Sequence, residues 1–200
     1  MENQLQKLNT EKLLESANDY NFCWHERATF QELLAAINSG DIDKLKWFAV
    51  FGDSLRTILL NVYAYRKGLE FGFREIEFDQ YGWFKRPVFL NVEELKFGLA
   101  DKSRYGTYSS ITVGHGPNGK WTYGLSMSFG TAGSSNGLSV YGTVFSSRED
   151  ALAQGLPILK KEMEGKVGNS DGSNYNQNVI LATLKDIEKF KVAKVQLSLF

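Results

Sequence analysis

Cysteine is almost missing from this sequence. The single thiol, Cys23, excludes a disulfide framework, and beside only two histidines, His25 and His115, it argues against a zinc site. Net charge is missing as well. Twenty-three basic residues balance 23 acidic ones, which argues against a surface that tracks a phosphate backbone but leaves room for a local basic patch. No apolar run reaches the roughly 20 residues needed to cross a bilayer, and no basic-then-apolar segment opens the chain. The expected setting is therefore cytoplasmic, with no membrane partner. No internal repeat is visible. What is present is a core: 42% of the 200 residues are hydrophobic and 14% aromatic, which excludes global disorder. The length suits one domain, or one domain plus a small extra unit.

The pattern predicts an α+β fold, with N-terminal helices followed by a mainly antiparallel sheet. Residues 1–90 read as a helical part with a strand hairpin. Thr10 is a candidate cap for a short helix carrying Leu13 and Leu14. Thr29 with Glu32 has the form of a capping box, and Phe30, Leu33, Leu34 and Ile37 follow at helical spacing until Gly40 stops the run. Asp41 starts the next helix, which Gly52-Asp53 divides and Gly68 ends. Leu69, Phe71 and Phe73 alternate with polar residues as a strand does. The alternation slips to Ile76 and Phe78 through a bulge near Arg74-Glu75. A second short strand is expected at Pro87–Leu90.

Residues 91–164 read as helix, three strands, helix. Asn91 with Glu94 resembles a helix start, with the helix running to Ala100. Tyr108–Val113 is the first strand, and Pro117-Asn118-Gly119 is a hairpin turn. Trp121, Tyr123, Leu125, Met127 and Phe129 alternate strictly with Thr122, Gly124, Ser126 and Ser128. That second face is unusually small, which suits a close packing partner. Gly130–Gly137 reads as a flexible connection and Leu138–Phe145 as the third strand. Ser146 with Glu149 caps a helix that Pro157 should kink. Residues 165–189 read as a polar linker and a last helix, and 190–200 as a tail.

The tail ends Gln196-Leu197-Ser198-Leu199-Phe200. This pentapeptide resembles the motif by which bacterial replication and repair proteins dock on the DNA sliding clamp. The resemblance implies an extended peptide in a hydrophobic groove. Gln196 would bond at the rim, Leu197 would fill a first subsite, Ser198 would be a spacer, and Leu199 and Phe200 would enter a deep pocket. Each buried Leu or Phe is worth roughly 1.5–3 kcal/mol. Less the cost of ordering a mobile terminus, that predicts micromolar-range docking. Lys189, Lys191 and Lys194 would keep the tail solvated beside a partner that encircles DNA. The alternative is a protein–protein or nucleic-acid-binding module whose C-terminus is only an edge strand, in which Val192, Val195, Leu197 and Leu199 pair with the sheet.

The order of elements in 91–164 is similar to that of the double-stranded-RNA-binding domain, with Gly116-Pro117 in the hairpin and Ser147 with Ala151 opening the second helix. That family grips phosphate with lysines where this chain has Arg148, Glu149 and Asp150. The carboxylates there would repel a phosphate backbone. Among candidate base-stacking aromatics, Tyr105, Tyr108, Trp121, Tyr123 and Tyr141, the shared face with Leu125 and Phe129 assigns Trp121 and Tyr123 to packing. The nucleic-acid candidates are then Tyr108, Lys120, Tyr141 and Arg148. Arg104 is a further nearby cation.

Catalytic patterns are thin. Glu75, Glu77 and Asp79 with the Glu94-Leu95-Lys96 triplet resemble the metal-holding set of restriction-type nucleases, except that the triplet falls on an expected helix rather than a strand. Cys23-Trp24-His25 lacks an orienting carboxylate. His115 sits by a turn. Gly130–Gly137 lacks the Lys-Ser/Thr of a nucleotide cradle. The expectation is a non-enzymatic accessory protein of bacterial DNA replication or repair, or of a mobile genetic element. It would use no cofactor and no metal, dock on the sliding clamp, and meet DNA only through that partner.

Overall fold

A computed structural model of the chain describes residues 9–104 and 106–197. Tyr105 and the last three residues of the pentapeptide, Ser198, Leu199 and Phe200, lie outside the described residues. The fold is α+β: helices come first, then a four-stranded antiparallel sheet with two more helices. The chain divides into two compact units, Met1–Pro87 and Val88–Phe200.

The first unit is four helices: α1 (Thr10–Asn18), α2 (Trp24–Ser39), α3 (Ile42–Ala49) and α4 (Leu55–Glu70). They close over Leu13, Leu33, Phe48, Phe51, Leu55, Ile58, Leu59 and Val62. Two breaks fall where the residues ask for them. Gly40 takes a left-handed φ of 66° after α2, and Asp41 accepts from Lys44 N at 3.0 Å to open α3. Ser54 caps α4, so Gly52-Asp53 does divide the run. The caps of α1 and α2 differ from expectation. Asn9, not Thr10, accepts from Lys12 N. Helix α2 starts ahead of the expected box, because the Glu26 carboxylate accepts from Cys23 N at 2.7 Å. Thr29 is then an interior residue, and Glu32 is free to pair with Arg66 at 2.7 Å.

The strands expected over 69–78 and 87–90 of this region are replaced by other structure. Helix α4 runs past Gly68 to Glu70, since a glycine inside a helix weakens it without ending it. What remains of the hairpin is one bridge, Phe78 to Phe84, with Lys85 N donating to Glu77 O at 2.8 Å. Buried Asn61 holds that turn. It donates to Phe51 O at 2.7 Å and Gly82 O at 2.9 Å, and accepts from Phe84 N at 2.9 Å.

The second unit opens with β1 (Leu90–Gly98), β2 (Tyr108–His115), β3 (Trp121–Ser128) and β4 (Gly133–Asn136), in that spatial order and all antiparallel. Helices α5 (Arg148–Glu164) and α6 (Gln177–Leu197) cover one face. Between them lies a core of Phe97, Ile111, Val113, Leu125, Leu152, Leu159, Met163, Ile180 and Ile187. Helix α5 approaches closely because Gly155 faces Tyr123; a Cβ there would meet the ring at 3.2 Å.

Three expectations for this unit are corrected. Residues 91–100 are not a helix: 91–98 lie in β1, so the unit is a four-stranded sheet followed by its helices rather than helix, three strands, helix. Leu95 and Phe97 turn inward while Glu94 and Lys96 turn outward, a period of two that outweighs the Asn91-Glu94 capping pattern. The segment 138–145 contributes only a bridge between Phe145 and Trp121, and the fourth strand comes from the supposed flexible connection. There Asn136 Oδ1 accepts from Leu125 N at 2.9 Å, and small residues let the chains meet. Finally, α5 is capped by Ser147 rather than Ser146, through Asp150 N at 3.0 Å, and it continues through Pro157.

Candidate functional site

Helix α6 carries the start of the docking pentapeptide. The helix is fastened to β1 along one face. Thr183 Oγ1 donates to Phe97 O at 3.3 Å. Asp186 accepts from Gly98 N at 3.3 Å and from Lys102 Nζ at 2.7 Å. Burial works to raise the Asp186 pKa, but these two bonds outweigh it and hold the carboxyl below its ordinary range. Phe190 then meets Phe97 edge to face at 5.8 Å. Beyond Phe190, Lys191 is half-buried, Val192 is 56% exposed and Ala193 is exposed. Lys189 and Lys191 pair with Asp186 and Glu188 of the same helix.

The expected tail from residue 190 is therefore helical as far as Leu197. The edge-strand alternative is corrected with it, since Val192, Val195 and Leu197 sit in α6 and not in the sheet. Helical pairing satisfies their backbone within one segment, whereas a strand would need a free edge beside them. Gln196 and Leu197 stand in the last turn of α6.

The outer face of the sheet is the second feature. Its small residues do receive a packing partner at one end. A Cβ on Gly124 would lie 2.6 Å from Asn136 O, and one on Gly142 would lie 2.5 Å from Thr122 Oγ1. That hydroxyl is fully buried and has no hydrogen-bond partner among the described residues. The other end stays open as a cavity of about 340 Å³. The registers of all four strands set one cross-strand row, Lys96 to Ser110 to Ser126 to Ser135, and its three serines line the cavity. Lys96 Nζ lies 4.4 Å from the Tyr108 ring centroid and 3.6 Å from Glu94 Oε2. The bond to Tyr108 raises the Lys96 pKa, so the ammonium stays charged.

The four nucleic-acid candidates are not gathered into one groove. Tyr108 and Lys120 stand at opposite ends of β2, the latter just past its turn. Tyr141 is 53% exposed on the segment after β4. Arg148 opens α5, where it makes a two-armed pair with Glu93 at 2.7 and 2.8 Å and a further bond to Glu149 at 3.2 Å. The bond from Arg148 holds the Glu93 carboxyl below its ordinary range.

The nuclease set is divided as well. Glu94 and Lys96 do lie on a strand, correcting the expected helix, and share its outer face. Glu77 is paired to Lys85 at 2.8 Å, and Asp79 accepts from Tyr81 N and Trp83 N. Among the described residues no three His, Cys, Asp or Glu side chains converge. Cys23 is exposed, and the His25 ring stacks on Tyr63 at 4.3 Å. No helix among the described residues is long and apolar enough to cross a membrane.

The serine row escaped the reading of the sequence because register is a property of strand pairs. The one signal was the small face of β3. Comparison with protein-family models, with curated proteins and with solved structures found no match.

Proposed function

We propose that this chain is a non-enzymatic accessory protein of bacterial DNA replication or repair, or of a mobile genetic element, that docks on the DNA sliding clamp through Gln196-Leu197-Ser198-Leu199-Phe200. The observation that carries the reading is this pentapeptide, in which every position suits the motif, placed after the last fastening of α6 at Phe190. Docking in an extended form requires the last turn of α6, with Gln196 and Leu197, to open. Helix ends fray at low cost, because the terminal carbonyls have no intrahelical partner. Lys189, Lys191 and Lys194 near the C-terminal end of α6 suit the helix dipole and a partner that surrounds DNA. The body supplies little grip of its own on phosphate: formal net charge is zero and Arg148 is already held by Glu93. Proximity to DNA then comes from the clamp.

The reading is tested by competition. A synthetic peptide spanning residues 190–200 should displace the intact protein from purified bacterial clamp, and the same peptide with Leu199 and Phe200 changed to alanine should not. Failure of both peptides to displace a bound protein would assign docking to another surface.

A further inference from the structure

We infer that the open end of the sheet's outer face is a binding site for a neutral, polyhydroxylated ligand, a short oligosaccharide. The site is independent of the clamp reading, since α6 packs on the opposite face of the sheet. Its cavity of about 340 Å³ falls within the ~300–1,000 Å³ typical of small-ligand sites. The floor is the register row of Ser110, Ser126 and Ser135, with Lys96 at its β1 end. Neighbouring strands lie about 4.8 Å apart, so the row presents hydroxyls at regular intervals, each able to donate and accept.

Ser110 points to a ligand most directly. The residue is 2% exposed and lines the cavity, and its hydroxyl makes no hydrogen bond among the described residues. The oxygen is not sealed off as that of Thr122 is, but opens on the cavity, where a ligand hydroxyl would be its partner. The electrostatics select the class. Lys96 is balanced by Glu94 at 3.6 Å and already occupies the Tyr108 ring at 4.4 Å, so the site has no surplus positive charge for a phosphate or a nucleic-acid backbone. Glu94 also lines the cavity, where a carboxylate accepts from paired hydroxyls. Tyr108 lines the same wall.

The test is a titration of the intact, isotope-labelled protein, followed by amide chemical shifts, with chitotriose, cellotriose and maltotriose in turn. Inorganic phosphate and oligothymidylate serve as comparators. At least one trisaccharide should bind saturably in the millimolar range or better and shift the amides of Glu94, Lys96, Tyr108, Ser110, Ser126 and Ser135. Ser126→Leu, which fills the middle of the row, should weaken that binding by about tenfold or more, on the scale of lost hydrogen bonds and a blocked pocket. Ser135→Leu at the exposed rim gives a second block should the first disturb folding. Three outcomes overturn the inference: no trisaccharide shifts these amides, binding survives both substitutions, or phosphate or oligothymidylate shifts them while the sugars do not. Clamp binding of the same variants stays unchanged whichever result is found, so the two readings fail separately.

Discussion

Phe190 of α6 and Phe97 of β1 meet edge to face, with ring centroids 5.8 Å apart and planes at 89°. This contact ends the described packing of α6 on the core. Removing it with Phe190→Ala should destabilise the protein by about 2 kcal/mol, less than the ~3–5 kcal/mol of a fully buried phenylalanine because Phe190 is only partly buried. Urea denaturation checks the size. Clamp affinity of the folded variant should stay unchanged, because the docking peptide begins at Gln196, beyond the anchor.

Gln196 and Leu197 are helical, whereas docking requires them extended. Val195→Pro disfavours the last turns of α6 before the partner arrives, since proline lacks the donor and clashes with the preceding turn. The variant should bind clamp as well as the parent, or a few-fold more tightly. A titration showing tenfold weaker binding would mean that the peptide docks as a helix.

Thr122 is fully buried in β3 with its hydroxyl unpartnered among the described residues. Thr122→Val keeps the β-branched shape and removes the unmet polar group. A gain of about 1–2 kcal/mol should follow, from the usual cost of an unsatisfied buried hydroxyl. Thermal and urea unfolding both report it, and a loss of stability would show that the hydroxyl is satisfied.

Carboxylates held low by their partners set the acid limb of stability, Asp186 among them. Glu32 and Glu93 are held below the ordinary range by bonds from Arg66 and Arg148. A carboxyl lowered in the folded state contributes stability that is fully present above its unfolded pKa, near 4.3 for Glu. The contribution is lost as pH falls through the lower folded value. Unfolding free energy should therefore be level around neutrality and fall below about pH 4. Both pairs are partly exposed, so solvent screening keeps each to about 1 kcal/mol or less. In Arg148→Met the difference between urea midpoints at neutral and acid pH should shrink. An unchanged difference would show that the pair contributes nothing to acid sensitivity.

Local chemistry made some of this fold legible in the sequence. The stop at Gly40 and start at Asp41 were readable because a left-handed turn and a capping carboxylate are single-residue signals. The strict alternation from Trp121 to Ser128 marked β3. Strand β1 was hidden because Asn91 and Glu94 mimic a helix start, while the inward turn of Leu95 and Phe97 depends on the helices above them. Strand β4 was hidden because Gly133-Ser134-Ser135-Asn136 has no bulky side chain to betray it; backbone pairing and the Asn136 amide make the strand. The pentapeptide was legible as a string, but the helix that runs into it as far as Leu197 was not: Val192, Val195 and Leu197 suit a strand or a helix equally by spacing.

The most direct measurement is calorimetric titration of purified bacterial sliding clamp with the intact protein and with the Leu199→Ala, Phe200→Ala double variant. Clamp docking through the pentapeptide predicts micromolar-range binding by the parent and at least a tenfold loss in the variant, as two buried apolar anchors are removed. Equal affinity for the two proteins, or no binding by the parent, would contradict it.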